Sequence, residues 1–312
     1  MTSMDKIVFF HMNQLGDLLF SLPALKAAKK NSPSKIYSVI NPQFAPLLIS
    51  SGLIDGYISK KQSFFSLVKA LKKENFSKAV LFSESPFSLM AAFAAGIKER
   101  IGFKTASLSF LLTKKSSRTG VPSIYNNCEL AKTMGLNDIP KDYCDILKIP
   151  EENILNVEKW FKENGLNDVI AVAPGSSAKR QKKRLPPEKW ARIIDEFHNK
   201  GAKCVLTGAK WEKEDLGKIS NLCKTVPKVF IAENSILDSA AFYKKSRLFI
   251  GIDSGAMHLA ASVGTKCAAA FINTDPSQTG PLPKEKHIII QKNLAELITP
   301  QDFLSLLMKN EK

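Results

Sequence analysis

Short apolar runs alternate with amphipathic stretches along most of the chain. An apolar run of four to six residues between turn signals is typical of a buried strand, and apolar residues three or four positions apart are typical of a helix. In the first half the pattern predicts strands at 6–11, 35–40, 78–82 and 100–103, and helices at 18–30, 64–74, 86–95 and 125–134. Strands that alternate with helices indicate a parallel sheet with crossover connections.

The same alternation starts again in the second half. After a further helix at 151–164, which ends the first half, it predicts strands at 169–173, 203–207, 228–231, 248–252, 266–271 and 287–290, and helices at 187–199, 210–221, 235–244 and 256–263. The Ser-, Thr- and Lys-rich stretch 104–121 is predicted to be a long surface loop.

The restart of the pattern near Gly165 predicts two domains, 1–165 and 166–312, with the last helix packing back on the first domain. Each domain is expected to be an α/β, Rossmann-like, doubly wound sheet. Ligands of such sheets bind beyond the carboxyl ends of the strands. We therefore expect the two domains to face one another across a cleft that holds the active site.

Composition and charge reduce the number of possible function classes. Lys and Arg number 45 against 29 Asp and Glu, a formal net charge of +16, which favours nucleic acid, an anionic membrane surface or a phosphorylated substrate as partner. Only six of the cations are Arg, whose planar fork suits base recognition, so sequence-specific DNA binding is disfavoured. The five Cys are widely spaced, and no apolar run is long enough to span a bilayer, so we expect a cytoplasmic protein.

The segment 251–264, GIDSGAMHLAASVG, leads from a predicted strand into a predicted helix. Asp253 and Ser254 are good N-cap residues, and Gly255 permits close approach of a ligand to the backbone. With His258 one turn further on, they form a candidate anion-binding site at a helix N-terminus. The alternative is that Asp253 only caps the helix and His258 only packs against the turn.

The segment 173–186, APGSSAKRQKKRLP, also follows a predicted strand. It offers the hydroxyl groups of Ser176 and Ser177 and then five cations, among them Lys183. Hydroxyls and cations beyond a strand end suit a diphosphate. The alternatives are a solvated basic loop and a contact with a nucleic-acid backbone.

The segment 13–25, NQLGDLLFSLPAL, has one glycine and therefore fits a dinucleotide fingerprint poorly. It places Asp17 at the exit of the first strand, where a carboxylate could accept a proton from a bound hydroxyl. The alternative is a helix-start acid that interacts with the helix dipole. No DxD motif for a divalent cation with a diphosphate occurs in the sequence.

Taken in order, these segments resemble the lipopolysaccharide heptosyltransferases, glycosyltransferase family 9. LGDLLFSLPAL, PGSS followed by KRLP, and DSGAMHLAASVGT resemble three conserved elements of that family, and the later TDP and GP pairs resemble two more. Four positions depart from the family pattern: His11 stands where an arginine is usual, Leu185 replaces a tryptophan, and Ile272 and Asn273 of FINTDP replace the Gly and Pro of FGPTDP.

The resemblance implies a GT-B fold and an inverting transfer of heptose from ADP-heptose to the inner core of lipopolysaccharide, without a metal or another cofactor. It assigns Asp17 as the general base and Lys183 as the cation that stabilises the departing diphosphate. The donor is expected to contact two serines of the second domain, Ser176 and Ser177, together with Asp253, Ser254, Gly255 and His258.

The acceptor would bind the N-terminal domain, and the basic surface would attract the protein to the anionic inner face of the inner membrane. No nucleic-acid partner is expected from the resemblance. Two alternatives come from other classes: a nucleotide-sugar epimerase or hydrolase of the same layout, and a basic nucleic-acid-binding protein without catalysis.

Overall fold

The computed structural model describes residues 5–119, 122–175, 184–233 and 235–304. The chain forms two compact units, Met1–Lys148 and Ile149–Lys312. Both are α/β units built on a six-stranded, fully parallel sheet. No helix in the described ranges is both long and apolar enough to cross a membrane.

The first unit has the sheet order β3-β2-β1-β4-β5-β6. Its central strand β1 is almost entirely buried, since Val8, Phe9 and Phe10 have no exposed surface. The strands are β1 (Lys6–Phe10), β2 (Lys35–Ile40), β3 (Gly56–Ser59), β4 (Lys78–Leu81), β5 (Glu99–Phe103) and β6 (Lys114–Ser116). The helices are α1 (Leu15–Leu19), α2 (Leu22–Asn31), α3 (Ala45–Ser50), α4 (Phe64–Glu74), α5 (Pro86–Ala94) and α6 (Ser123–Thr133).

The single helix predicted at 18–30 is two helices, α1 and α2. The break lies at Phe20 and Ser21, where the Ser21 hydroxyl donates to the Leu18 carbonyl oxygen at 2.6 Å. A Ser side chain that bonds to the preceding turn competes with the regular helix pattern, and Pro23 then starts the second helix. The short strand β3 and helix α3 were not predicted.

The stretch predicted to be a loop at 104–121 carries regular structure. Residues Ser109–Leu111 form a 3₁₀ turn, and β6 pairs in parallel with β5. The prediction of a loop was wrong for β6, because its sequence KKS is polar and does not show the apolar pattern of a strand. Edge strands often carry lysines, which discourage pairing with another chain.

The second unit has the sheet order β12-β11-β10-β7-β8-β9. A single core cluster joins β7, β10 and β11 to α8, with Trp190 and Phe197 fully buried. The strands are β7 (Val169–Ala173), β8 (Lys203–Ala209), β9 (Lys228–Ala232), β10 (Leu248–Ile252), β11 (Cys267–Ile272) and β12 (Ile288–Lys292). The helices are α7 (Glu151–Glu163), α8 (Pro187–Asn199), α9 (Lys213–Leu222), α10 (Ile236–Lys245), α11 (Gly255–Ser262), α12 (Pro276–Thr279) and α13 (Pro300–Leu304).

The division between the units falls at Lys148 and Ile149, earlier than the predicted boundary at 165. Helix α7 belongs to the second unit because its aromatic side chains pack there. The rings of Trp160 and Phe230 lie 5.2 Å apart, and those of Phe161 and Phe242 lie 5.5 Å apart.

The last described helix, α13, packs against α8 of its own unit through Phe303 and Trp190, whose ring centroids are 6.0 Å apart. The prediction that the last helix packs back on the first domain also involves residues 305–312, which lie outside the described residues.

Candidate active site

The two sheets share one strand order, and this order creates one switch point in each sheet. Below, the edge of two strands means the side of the sheet at their carboxyl ends. In both, the first strand lies in the middle, and the chain runs outward first to one side and then to the other. The direction reverses between β1 and β4 in the first unit and between β7 and β10 in the second. Ligands of open parallel sheets bind at such switch points, beyond the carboxyl ends of the strands.

In the second unit, two of the predicted segments meet at the switch point. Strand β10 pairs with β7, and Gly251 lies opposite Ala173. The chain therefore leaves β7 through Pro174 and Gly175 beside the point where it leaves β10 through Asp253. Residues far apart in the sequence come together here because parallel strands end at the same edge.

The exit of β10 leads directly into a capped helix, as the sequence pattern predicts. The Ser254 hydroxyl caps α11 by accepting a hydrogen bond from the Met257 amide at 3.4 Å. Asp253 and His258 are almost fully buried, whereas Ser254 and Gly255 are half-buried. Ser254 and Gly255 are thus the members of this group that a ligand can reach, with the partial positive charge of the N-terminus of α11 behind them.

The exit of β7 is described only in part. Ser176, Ser177 and Lys183 lie outside the described residues, so their assignment to the donor site stays a prediction. Beyond them, Arg184 forms an ion pair with Asp215 at 3.1 Å. Leu185, at the position of the family's tryptophan, is buried in the core of the second unit.

One carboxylate at this edge was not predicted. Glu212 lies so close to Gly175 that a Cβ atom on the glycine would be 1.6 Å from its Oε1. Glu212 also accepts a hydrogen bond from the Ala209 amide at 2.8 Å. Burial is the largest influence on its carboxyl group and raises its pKa, although the Ala209 hydrogen bond and the charge of Arg184 oppose the shift.

In the first unit, Asp17 lies at the β1 side of the switch point. It belongs to the first turn of α1, the short helix that follows β1, and it is half-buried. The structure therefore places it where the sequence predicted, at the exit of the first strand.

His11, the first residue after β1, is buried and hydrogen-bonded on both sides of its ring. Its Nε2 lies 2.9 Å from the Ser38 Oγ, and its Nδ1 lies 3.1 Å from the Ser21 Oγ. Because Ser21 donates its only hydroxyl proton to Leu18, its oxygen accepts from His11 Nδ1–H, and Nε2 then accepts from Ser38. Burial, aided by the charge of Lys60, lowers the pKa of His11 to about 3, so the imidazole is neutral.

Lys60 provides a positive charge beside Asp17. It follows β3 directly, its side chain is half-buried, and its ammonium group donates to the carbonyl oxygen of His11. Burial lowers the pKa of Lys60, and the charge of Asp17 opposes that shift. The signal for this residue in the sequence is weak, because Lys60 and Lys61 resemble any pair of surface lysines.

The described part of the chain contains no cluster of three His, Cys, Asp or Glu side chains placed to hold a metal ion. The polar groups at the two switch points are of different kinds. The edge of β7 and β10 presents a capped helix N-terminus and small residues, together with the buried Asp253 and the half-buried Glu212, whose pKa is raised by burial. The edge of β1 and β4 presents the carboxylate of Asp17 beside an ammonium group.

Comparison with known proteins agrees with this arrangement. Lipopolysaccharide heptosyltransferase 3 of Escherichia coli is 23% identical over 281 residues, which cover 83% of this chain and 81% of the relative. A glycosyl transferase family 9 structure from Veillonella parvula superposes with a TM-score of 0.87 at 20% identity, covering 98% of this chain and 96% of that one. The E. coli ADP-heptose lps heptosyltransferase II gives a TM-score of 0.82 at 19% identity, covering 98% and 100%.

At these identities the structural matches establish the fold, which consists of two Rossmann-like domains. The family is established by the sequence comparison. The family model described as glycosyltransferase family 9 (heptosyltransferase) matches residues 64–301, which include α4, both sides of the β7 and β10 edge, and the TDP and GP pairs. That match spans most of the chain and identifies a glycosyltransferase, in place of the epimerase or hydrolase that the layout alone would allow. The chain belongs to glycosyltransferase family 9, the heptosyltransferases.

Proposed function

We propose that this protein transfers a heptose from ADP-heptose to a hydroxyl group of the lipopolysaccharide inner core, with inversion at the anomeric carbon. The family assignment and a relative that acts as a lipopolysaccharide heptosyltransferase support the substrate classes. The observation that carries the proposal is the position of Asp17, a carboxylate at the switch point of the first unit beside the cation of Lys60.

In this mechanism Asp17 accepts the proton of the acceptor hydroxyl as its oxygen attacks the anomeric carbon of the donor. The new C–O bond forms on the face opposite the leaving group, the bond to the diphosphate oxygen breaks, and ADP departs with the electron pair. A positioned general base contributes typically about 10² to 10⁴ in rate. The acceptor site therefore belongs to the first unit.

Lys60 has two roles in this proposal. Its positive charge favours the ionised form of Asp17, the form that accepts a proton. Its hydrogen bond to the carbonyl oxygen of His11 fixes the chain between β1 and α1. The cation that the family usually carries at position 11 is thus replaced in this chain by one that comes from the end of β3.

The donor binds the second unit in this proposal. The N-terminus of α11, with Ser254 and Gly255 accessible, contacts the diphosphate, and Asp253 and His258 fix that turn from their buried positions. Ser176 and Ser177 are proposed to hold the phosphates, and Lys183 to stabilise the negative charge that grows on departing ADP. The ADP-sugar is a substrate, and neither a metal nor another cofactor takes part.

The protein would act in the cytoplasm, at the anionic inner face of the inner membrane, where its acceptor glycolipid is anchored. The formal charge of +16 supports attraction to such a surface. No nucleic-acid partner is proposed.

The test is incubation of the purified protein with ADP-heptose and a heptose-deficient lipopolysaccharide acceptor, followed by mass spectrometry of acceptor and nucleotide. We expect equal amounts of ADP and of acceptor that has gained one heptose. ADP release without a glycosylated acceptor would identify a hydrolase, and turnover of another nucleotide sugar in place of ADP-heptose would contradict the donor assignment.

A further inference from the structure

Helix α5 of the first unit is apolar on both of its faces. Its sequence, PFSLMAAFA, has no charged residue. Leu89, Ala91 and Ala92 are buried in the core, as expected for an inner face. Phe87, Met90 and Phe93, three positions apart, point outward and are 40%, 43% and 53% exposed. A surface helix normally carries polar residues on this side, so the outer face of α5 needs a separate explanation.

The apolar surface extends beyond α5 to both of its neighbours. On one side, the ring of Phe64 lies 5.8 Å from that of Phe65 and 5.6 Å from that of Phe87, and Phe65 is 84% exposed. The five exposed side chains that belong to this surface, here called the aromatic face, are Phe65, Phe87, Met90, Phe93 and Phe110.

Phe110 joins the aromatic face on the other side of α5, through Arg100. The Arg100 guanidinium lies 5.3 Å from the centre of the Phe93 ring, and its Nε donates to the Leu111 carbonyl oxygen at 2.7 Å. Phe110 is the neighbour of Leu111 in the 3₁₀ turn and is 73% exposed. Contiguous exposed apolar surface of this kind marks an interaction site.

The surroundings of the aromatic face are strongly basic. Residues 60–119 contain twelve Lys and Arg and only three acidic residues. Each acid is in an ion pair: Glu74 with Lys6, Glu84 with Arg118, and Glu99 with Lys78 and Lys114. The exposed lysines of α4 and of the chain soon after α5 and directly after β5, here called the bordering lysines, are Lys69, Lys72, Lys73, Lys98 and Lys104.

This combination decides between the possible occupants. Two copies meeting through the same face would bring their lysines together without acids to compensate, and an acidic protein surface would leave the aromatic side chains without an apolar partner. An anionic bilayer offers both features, since it has phosphate groups at the surface and hydrocarbon directly below. Aromatic side chains are enriched at that level of membranes.

We propose that the aromatic face docks on an anionic phospholipid bilayer, with its Phe and Met side chains among the headgroups and the bordering lysines on lipid phosphates. Helix α5 begins just after β4, whose successor Phe82 packs against the ring of His11 at 5.5 Å. Docking would thus hold the edge that carries Asp17 near the membrane surface, a consequence that rests on the function proposed above.

The docking element is therefore α5. The segment 104–118 contributes the exposed ring of Phe110 and the bordering Lys104. In that segment Leu112 is buried, and Leu108 and Leu111 pack on the core of the first unit. Lys114 and Arg118 are in ion pairs with Glu99 and Glu84, and Arg118 also stacks on the ring of Phe103 at 4.3 Å. These two cations are less available to lipid than the lysines of α4.

The experiment is co-sedimentation of the full chain with vesicles of phosphatidylcholine alone and of phosphatidylcholine with one third phosphatidylglycerol. The test variant is the triple substitution Phe87→Ser, Met90→Ser and Phe93→Ser, and the matched control is Trp211→Ser, whose side chain is 73% exposed in the second unit. We expect the triple variant to bind anionic vesicles at least about tenfold more weakly, because each inserted side chain removes apolar area from water. The control should bind like the wild type.

A second variant avoids any effect of the polar substitutions on folding. Phe93→Trp keeps an aromatic side chain on α5. The emission that it adds to that of the three native Trp, measured as the difference from the wild type, should shift to the blue on anionic vesicles and be quenched by brominated lipid. The proposal is overturned if the triple variant binds like the wild type, if Trp211→Ser weakens binding equally, or if the new tryptophan stays in water. The wild type could instead form a salt-resistant dimer and bind no vesicles. If the triple substitution abolished that dimer, the occupant of the aromatic face would be a second copy of the chain.

Docking and catalysis are separated by the assay with a deacylated, water-soluble acceptor. Because no residue of the aromatic face touches the substrates in the proposed mechanism, the triple variant should release ADP there at the wild-type rate. Vesicle binding by a protein that releases no ADP would leave docking in place and contradict the proposed function. ADP release by a protein that does not bind vesicles would contradict docking and leave the proposed function in place.

Discussion

The two sheets of this protein have the same strand order but present different chemistry at their switch points. At the edge of β7 and β10 the described residues offer backbone N–H groups, a Ser cap and glycines, which suit the oxygens of a diphosphate, beside the Glu212 carboxyl group, whose pKa is raised by burial. At the edge of β1 and β4 they offer the carboxylate of Asp17 and the ammonium of Lys60, which suit proton transfer. One topology thus presents two different sets of functional groups, and the side chains that follow the strands determine which.

The largest effect is expected when the edge of β1 and β4, here called the first edge, loses the carboxylate of Asp17. Asp17→Asn should lower kcat by about 10² to 10⁴, because the amide cannot accept the proton of the acceptor hydroxyl. ADP affinity, measured by calorimetry, should stay at the wild-type value, since the proposed donor site belongs to the other unit. A variant that kept a third of the wild-type kcat would remove the assignment of Asp17 as general base.

The edge of β7 and β10, here called the second edge, depends on the close approach of the Gly251 backbone to that of β7. A Cβ atom there would lie 2.8 Å from the Ala173 carbonyl oxygen, a backbone atom that cannot move without disturbing β7. Gly251→Ala should lower the free energy of unfolding by about 1 to 3 kcal/mol, as overpacking does, and weaken ADP binding.

Gly217→Ala is the matched control for Gly251→Ala, because a Cβ atom there meets nothing within 4 Å and the residue lies inside α9. It should raise the free energy of unfolding by about 0.5 to 1 kcal/mol, since alanine has the better helix propensity. Urea unfolding of both variants measures the difference. Equal effects of the two substitutions would contradict the importance of the β7 and β10 contact.

The role of Lys60 at the first edge can be separated from that of a general surface lysine. Lys60→Ala should lower kcat/KM about tenfold and move the acid limb of its pH profile to higher pH, because a nearby cation favours the ionised carboxylate. Lys61→Ala, which changes an exposed neighbour, is the control and should alter neither. If both variants had the same pH profile, Lys60 would be only a structural contact of His11.

The prediction with the smallest effect at neutral pH concerns stability and comes from His11. Its pKa is about 3 in the folded protein, against an ordinary value of 6.5, so between these pH values the unfolded chain binds the extra proton. The free energy of unfolding should therefore fall as the pH falls through this window, by at most about 1.4 kcal/mol per pH unit from this residue.

His11→Gln should remove that contribution to the slope, since Gln keeps donors and acceptors for Ser21 and Ser38 but does not titrate. His198→Gln, an exposed histidine at the end of α8, is the control and should leave the slope as it is. Urea unfolding at a series of pH values measures it. An unchanged slope in His11→Gln would show that the buried imidazole does not couple folding to pH.

Most regular elements could be predicted from the sequence because their apolar pattern is strong and their ends carry clear signals. The helix Phe64–Glu74 and the strands Val169–Ala173 and Leu248–Ile252 have the bounds that the pattern predicts. The strands β3 and β6 could not be found in this way. They have four and three residues, lie at the edges of the first sheet, and are held by pairing with β2 and β5.

The sequence by itself determined the fold class, the family and the exits of the strands that carry Asp17 and the turn Asp253–Gly255, because each depends on a local run of residues. Only the tertiary structure decided what lies beside them. Lys60 comes close to Asp17, and Glu212 to Gly175, through the order in which strands pair. The outer face of α5 was likewise decided by packing, since a helix that is apolar all round does not show in its sequence which side the core will cover.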